Sequence, residues 1–596
     1  IGGGTNNSAA GGQSTIAGGG YNTASNCYST VGGGMCNNAS GSSSTVAGGW
    51  KNEITANYGT VGGGYSNEIS APSGTIGGGG SNVILGTTST IGGGYSNCVS
   101  ATAKCSTIAG GCYNTTCGTW STIGGGALNV ARCTYSTIAG GRNNTTCGTW
   151  STISGGISNT ASNCYSTVGG GSGNTASGSY STIGGGFGNT ASGFSTTIAG
   201  GNCNTASFSN ATVGGGECNE ASGINSTVSG GFSNTASNTF STVGGGGYNT
   251  ASNCYSTVGG GVNNEAFGSY STVAGGCSNE ASNGYSTVGG GVVNTASGSS
   301  STVSGGYGNR ACGTESTIGG GVVNQITSVA TGGVIGGGSQ NILSGTYGMV
   351  GGGRCNTAYG SYSFVGGGCS NTASNGYTTV GGGRCNAASN CYSTVGGGYL
   401  NEASNYYSTV GGGVDNTALG SSSTVSGGYS NRACAGASTI GGGVSNVIAS
   451  GVTGVVIGGG VSNTASGTYS TIGGGAGNQA SGSCSTVGGG YGNVASGVQS
   501  FIGGGVSNTN YGTCSVIAGG CNNIIDNGVL SSGILGGIGN CISGTTSQSF
   551  IVGSNITADM AGTTFVNCLS IKNIPVSAVG LCAGMVYSNS GILTIV

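Results

Sequence analysis

The chain has 596 residues: 142 are glycine, 25 cysteine and 2 proline, none is histidine, charged residues make up 3% and the net charge is -2. Near-neutrality without basic clusters gives no footing for nucleic acid. Scarce proline and the lack of a Gly-X-Y triplet exclude collagen, and no apolar run reaches membrane-spanning length. Disordered chains are charged and poor in branched apolar residues, whereas Val or Ile returns here in register.

The chain opens in mid-unit. Ile1-Gly2-Gly3-Gly4 aligns with Val31-Gly32-Gly33-Gly34, without an initiator Met, a charged n-region or an apolar h-region. The expectation is that an N-terminal part was removed or that this is a segment of a longer protein. A clean unit then runs Ser29-Thr30-Val31-Gly32-Gly33-Gly34-Met35-Cys36-Asn37-Asn38-Ala39-Ser40-Gly41-Ser42-Ser43, and the next begins at Ser44-Thr45-Val46. Its landmark asparagine recurs as Asn7, Asn22, Asn37, Asn52, Asn67 and onward through Asn174, Asn356, Asn523 and Asn540 in about 36 rungs. A short fixed period signals a solenoid. The predicted fold is all-β, a parallel β-roll or β-solenoid of 15-residue coils over residues 1–544.

Within a unit, strand alternation points Val31, Val46, Val61, Ile76 and Ile91 inward and Thr30, Thr45 and Thr60 outward. The glycine triplet supplies one corner. A second strand carries Asn37-Asn38-Ala39 with Ala39 inward, and Gly41 or Asn26 makes the second corner. Glu53, Glu68, Glu220, Glu265, Glu280, Arg310, Glu402 and Arg432 all fall between the landmark Asn and the Ala, so that slot is predicted to face out.

Such a coil has a thin core, with roughly 2–3 kcal/mol for a fully buried valine. An inward ladder formed by Asn37, Asn52, Asn67, Asn174, Asn356 and Asn523 adds amide bonds between successive rungs. The coil is not expected to stand alone. Several chains, three in the predicted homotrimer, bury a shared glycine-rich seam. At about 4.8 Å per rung the array makes a rod on the order of 170 Å.

The steps Ile91 to Ile108, Ile318 to Ile335, Ile440 to Ile457, and Ile517 to Ile534 are longer, and the added residues are expected to bulge on one face. From about Thr545 the composition changes. Residues 545–596 are expected to form a cap and trimerisation segment.

Units such as Asn174 to Gly186 (Asn-Thr-Ala-Ser-Gly-Ser-Tyr-Ser-Thr-Ile-Gly-Gly-Gly) resemble the head repeats of trimeric autotransporter adhesins of the YadA type. The resemblance implies a left-handed parallel β-roll assembled as a trimer. Aligning Ile183 with the family's Ile places Ser181 where the family has Val, which implies a more polar core. No heptad stalk or C-terminal membrane barrel is present in the sequence. The end of the chain, with Gly580-Leu581 and Gly591-Ile592-Leu593-Thr594-Ile595-Val596, looks instead like the endings of viral and phage fibre proteins.

Cysteine departs from the bacterial adhesins, which have almost none. Cys203 and Cys218 share one slot on successive rungs, within the usual disulfide Cα range of roughly 4.4–6.8 Å; Cys355, Cys369 and Cys385 nearly do the same. Either these are disulfides, within or between chains, or cysteine is a small filler. Without histidine or a Cys-x-x-Cys pair, no metal and no cofactor is expected. Trp120, Tyr135, Trp150, Tyr165 and Tyr180 share another slot, as do Phe240, Tyr255, Tyr270 and Tyr285, and then Tyr362, Tyr377, Tyr392 and Tyr407. They read as stabilising stacks or as a platform for glycan rings or a partner surface. Glu53 with Glu68, and Glu265 with Glu280, place like charges one rung apart where a cation would fit.

No catalytic constellation appears, so an enzyme is not expected. The expected function is that of a structural surface fibre or filament subunit, extracellular, on a cell surface or on a virion, presenting repeated surfaces to a cell-surface or glycan receptor. A virion or phage fibre and an end-to-end self-assembling filament are the alternatives. An ice-binding solenoid using the outward Thr30, Thr45, Thr60 ladder stands third.

Overall fold

The computed structural model describes residues 1–570, 572–589 and 592–596. The chain forms two compact units, Ile1–Val323 and Asn324–Val596. Each is a parallel β-solenoid. The units hold about 37 coils in all, and the elements among the described residues are all β.

One coil explains the rest. In Ser29–Ser43 the strands are Thr30–Val31 and Asn38–Ala39, and Met35 makes an isolated bridge. Numbering Ser29 as slot 1 puts Thr30 in slot 2, Asn37 in slot 9 and Ser43 in slot 15. Equivalent slots pair in parallel: Thr15, Thr30 and Thr45 in one ladder, Ala24, Ala39 and Ile54 in the second, and Gly20, Met35 and Trp50 in the third. Alternation sorts the faces as the sequence predicts. Val31 and Ala39 are fully buried, while Thr30 and Asn38 lie on the outer face. In the charged slot, Glu53, Arg310 and Arg432 are exposed and Glu265 and Glu280 half-buried.

The two corners have different chemistry. Gly34 in slot 6 has φ +89°, and a Cβ there would lie 2.1 Å from the Gly49 carbonyl oxygen and 2.7 Å from Asn37 Nδ2. Nothing larger than glycine fits. At the second corner the buried Ser44 hydroxyl donates to the Gly41 carbonyl at 2.6 Å, and Ser181 does the same to Gly178 at 2.6 Å. Where that bond forms, the serine that replaces an apolar residue is buried and satisfied, but the equivalent hydroxyls of Ser271, Ser301, Ser363, Ser470, Ser485 and Ser500 are buried without a partner among the described residues.

Slots 8 and 15 hold non-glycine residues in the left-handed region, for example Cys36 at φ 60°, Ser43 at 54° and Trp120 at 59°. Such a conformation costs about 1–2 kcal/mol per residue. What it gains is a reversed N–H. Strand N–H groups bond to the following coil, as Thr30 to Ser44 O at 2.8 Å, whereas Cys36 and Ser43 donate back to Gly20 O and Cys27 O at 2.9 and 2.8 Å. Each coil is therefore bonded to both neighbours at its corners.

Core volume is exchanged at two places between slot 11 of one coil and slot 1 of the next. Where slot 11 carries Ile54 or Ile69 rather than alanine, slot 1 carries Gly59 or Gly74 rather than serine. A Cβ on Gly59 would lie 2.5 Å from Ile54 Cγ2, and one on Gly74 2.8 Å from Ile69 Cγ2. The large residue takes the space the small one vacates.

The longer coils keep register: Ile91 pairs with Ile108, Ile440 with Ile457 and Ile517 with Ile534. Their added residues enter the second corner. They do not simply bulge outward: three inserts each send one apolar residue (Ala103, Ala330 and Val529) into the core, and after the fourth the buried Val455 takes the slot-1 place ahead of Val456–Ile457. The boundary at 544 also shifts. Thr557–Ala558 pairs with Cys541–Ile542, and Thr564–Val566 pairs with Phe550–Val552, so parallel coiling continues to Val566. Backbone pairing needs neither the glycine triplet nor the asparagine, whose loss suggested the earlier end. Beyond it, Val586–Asn589 and Ile592–Ile595 form an antiparallel hairpin. Ile571 and Gly591 of the expected tail lie outside the described residues.

Candidate functional site

The asparagine ladder is the most repeated polar arrangement in the chain. Asn37, Asn52, Asn67, Asn174, Asn356 and Asn523 are all fully buried. At Asn174 the side-chain oxygen accepts the Asn189 backbone N–H at 3.0 Å and Asn189 Nδ2 at 3.1 Å, while Nδ2 donates to Gly170 O and Gly186 O at 2.9 Å each. The amide-to-amide contact expected from sequence is therefore the minor part. The oxygen mainly holds the next coil's backbone, and the two N–H donors clamp glycine carbonyls of the same coil and the next. Only an amide at this length supplies one acceptor and two donors in that arrangement. The relay passes last from Asn540 Oδ1 to the Ile556 N–H at 3.0 Å, where the side chain offers no acceptor.

The aromatic residues form real stacks. Trp120–Tyr135, Tyr135–Trp150, Trp150–Tyr165 and Tyr165–Tyr180 have centroid separations of 6.4, 4.0, 6.5 and 4.8 Å and interplanar angles of 5–7°. The run ends edge-on at Phe194, with an angle of 68°, because that ring sits one slot earlier. Phe240 to Tyr285 stack at 4.7–5.0 Å. In the second unit the stack starts at Tyr347, one ring before the run legible in sequence, since the preceding long coil hides its alignment. Stacking occupies the ring faces, so what these residues turn outward is ring edges and phenol hydroxyls.

The slot-2 face of the first unit is uniform. Threonine pairs with threonine from Thr15–Thr30 through to Thr302–Thr317. Among the described residues these hydroxyls make no bond to protein. In the second unit the same slot takes Val334, Met349 and Phe364.

All 25 cysteines carry free thiols. Cys203 and Cys218 occupy slot 8 of adjacent coils, both exposed. Cys355 and Cys385 also occupy slot 8 but are two coils apart, and Cys369 sits in slot 7, paired with Arg354 and Arg384. That trio is not brought together as the spacing suggested, because one slot of offset turns the side chain elsewhere. Local desolvation by the adjoining coil, then the neighbouring Cys203 and Glu217, raises the Cys218 thiol above its ordinary value.

Glu53 pairs directly with Glu68, but Asn38 Nδ2 donates to Glu53 at 3.3 Å, Ser70 Oγ donates to Glu68 at 2.7 Å, and Lys51 lines the same shallow depression. Glu265 pairs with Glu280, and burial followed by that carboxylate raises the Glu265 pKa. Among the described residues no three of cysteine, aspartate and glutamate converge as metal ligands, and no helix is long and apolar enough to cross a membrane. No protein-family model and no curated protein matches this chain.

Proposed function

We propose that the chain is the structural subunit of an extracellular or virion-surface fibre, built by side-by-side association of copies, three in the simplest closed form, and working as a stiff scaffold for attachment rather than as an enzyme. The observation that carries this reading is the glycine in slot 5. Slot 6 needs glycine for its own backbone, but Gly48, Gly93, Gly140 and Gly185 in slot 5 have no left-handed φ and nothing within 4 Å of a Cβ. In those four coils the single chain gives neither a steric nor a backbone reason for glycine, whereas Gly215, Gly245, Gly290 and Gly442 in the same slot hold φ of 142–147° that itself calls for glycine; slot 5 is glycine in every asparagine-bearing coil. A bare ridge lets a second backbone approach closely. Aromatic edges, threonine hydroxyls and the charged slot then face outward in repeated array, suited to contacts with a cell-surface or glycan receptor.

Gly185→Ala and Gly140→Ala test it. Both are expected to leave the monomer's stability within about 0.5 kcal/mol, as for surface substitutions without a specific role, and to weaken self-association in sedimentation equilibrium. Imaging of native material is expected to display three-fold rods. A monomeric wild type at micromolar concentration, or association indifferent to both substitutions, sinks the proposal. End-to-end filaments joined at the C-terminal hairpin would replace it.

A second reading is favoured by the unbroken threonine face of the first unit. Methyl and hydroxyl groups repeat there at the coil spacing on an untwisted stack, whose ring planes turn by only 3–13° per coil. Such a face suits ordered water or ice. Thermal hysteresis in the wild type, lost in Thr167→Lys, would support it.

A further inference from the structure

We propose that Cys203 and Cys218 form a reversible cross-coil disulfide, a thiol-redox modification site that locks two adjacent coils of the first unit. Among the cysteines they are the one pair in the same slot of neighbouring coils. Their backbones match, with φ 54° and 55°. Register is held tightly on both sides. Asn202 bridges Glu217, Cys218 donates its N–H to Asn202 O at 2.8 Å, and Asn219 donates its N–H to Asn204 Oδ1 at 2.9 Å. Equivalent residues of such a ladder lie about 4.8 Å apart at Cα, within the disulfide range of roughly 4.4–6.8 Å. Cys203 Sγ donates to Asn202 Oδ1 at 3.3 Å, on the same edge of the coil. Both side chains are exposed, so an oxidant can reach them.

The reaction is thiol–disulfide exchange with a small disulfide such as oxidised glutathione. One thiolate attacks it and forms a mixed disulfide, releasing one reduced glutathione. The second thiolate then displaces the other. Two S–H bonds are lost, one S–S bond forms, and two electrons and two protons leave on two molecules of reduced glutathione. The resulting bridge stops unravelling from passing between these coils, which in a solenoid contact only their neighbours.

Sequence placement gives a direct test. Cleavage after Glu217 and Glu220 releases the tripeptide Cys218-Asn219-Glu220, separate from Cys203. The folded full chain is oxidised with glutathione disulfide at high dilution, alkylated, denatured and cut at glutamate without reduction. Release of the alkylated tripeptide is expected to fall at least roughly tenfold relative to the reduced protein, because an adjacent thiol acts at millimolar or higher effective concentration. Reduction restores it. Cys203→Ser, placed in a slot that holds Ser66, Ser81 and Ser96 in other coils, is expected to fold normally and to release the tripeptide even after oxidation. Release of alkylated tripeptide from the oxidised wild type at the level of the reduced protein overturns the proposal. So does retention in the Cys203→Ser chain, or a tripeptide held by another molecule.

Discussion

Replacing Asn174 by alanine deletes the amide that joins its own coil to the next. The Asn189 N–H, buried at 0% exposure, loses its acceptor at 3.0 Å, and the Nδ2 bonds to Gly170 O and Gly186 O disappear. Gly186 O keeps the Ser172 N–H at 2.9 Å, so the chief penalty is one orphaned buried donor. Adding the lost bonds gives a destabilisation of roughly 3–5 kcal/mol. Asn174→Asp keeps the acceptor but sets an anionic oxygen against two carbonyls, so at neutral pH its loss is expected to exceed that of alanine. The carboxyl pKa is then raised in the folded state, and stability returns as pH falls through that raised value. Repeat proteins need not unfold in one step, so the suitable assay is native-state hydrogen exchange read coil by coil. Protection of residues 159–190 is expected to drop far more than that of distant coils. A loss below about 1 kcal/mol in Asn174→Ala would falsify the claim that the amide relay holds the stack.

Gly59→Ala is expected to cost about 1–3 kcal/mol by overpacking against Ile54, and Ile54→Ala to remove most of that penalty in the double variant; additive losses in denaturant unfolding would contradict the volume exchange. Tyr135→Ser breaks two ring contacts, at 6.4 and 4.0 Å. It should cost roughly 0.5–1.5 kcal/mol per contact and abolish coupled aromatic bands in near-ultraviolet circular dichroism; unchanged bands would argue against the stack. Glu265 has a pKa raised from 4.5. Its stabilising contribution is therefore present below the unfolded value and lost as pH rises through the folded one. Glu265→Gln is expected to flatten the exchange-rate profile of its coil on the alkaline side of the ordinary glutamate value, and an unaltered profile would rule the pair out as its cause.

The period, the inward Val31 and Ala39 and the outward charged slot were legible because a two-residue strand has only two faces. Corner direction was not. Trp120 and Cys36 carry no residue-level sign of a left-handed φ, since that conformation is imposed by the backward N–H bonds to the previous coil. The amide partners of Asn174 were half legible: identity of successive residues suggested amide pairing, but the glycine carbonyls become acceptors only once the corner is folded. The coil end was misplaced for a related reason. The sequence advertises side-chain ladders, while Thr564–Val566 is held by backbone pairing alone. The trio Cys355, Cys369 and Cys385 shows how a single slot of offset defeats a spacing argument.

The sameness of the coil junctions has a genetic consequence. Within each unit, the boundaries between asparagine-bearing coils present one set of carbonyls, one amide and one pair of corners to the next, and lengthened coils hand on the same register. Unequal recombination that adds or removes a whole 15-residue unit therefore leaves a seam chemically identical to those around it. The number of coils is then a quantity the fold does not police. It can drift between lineages by duplication and deletion, with the required span as the selective limit, while a single-residue insertion in a strand is rejected at once.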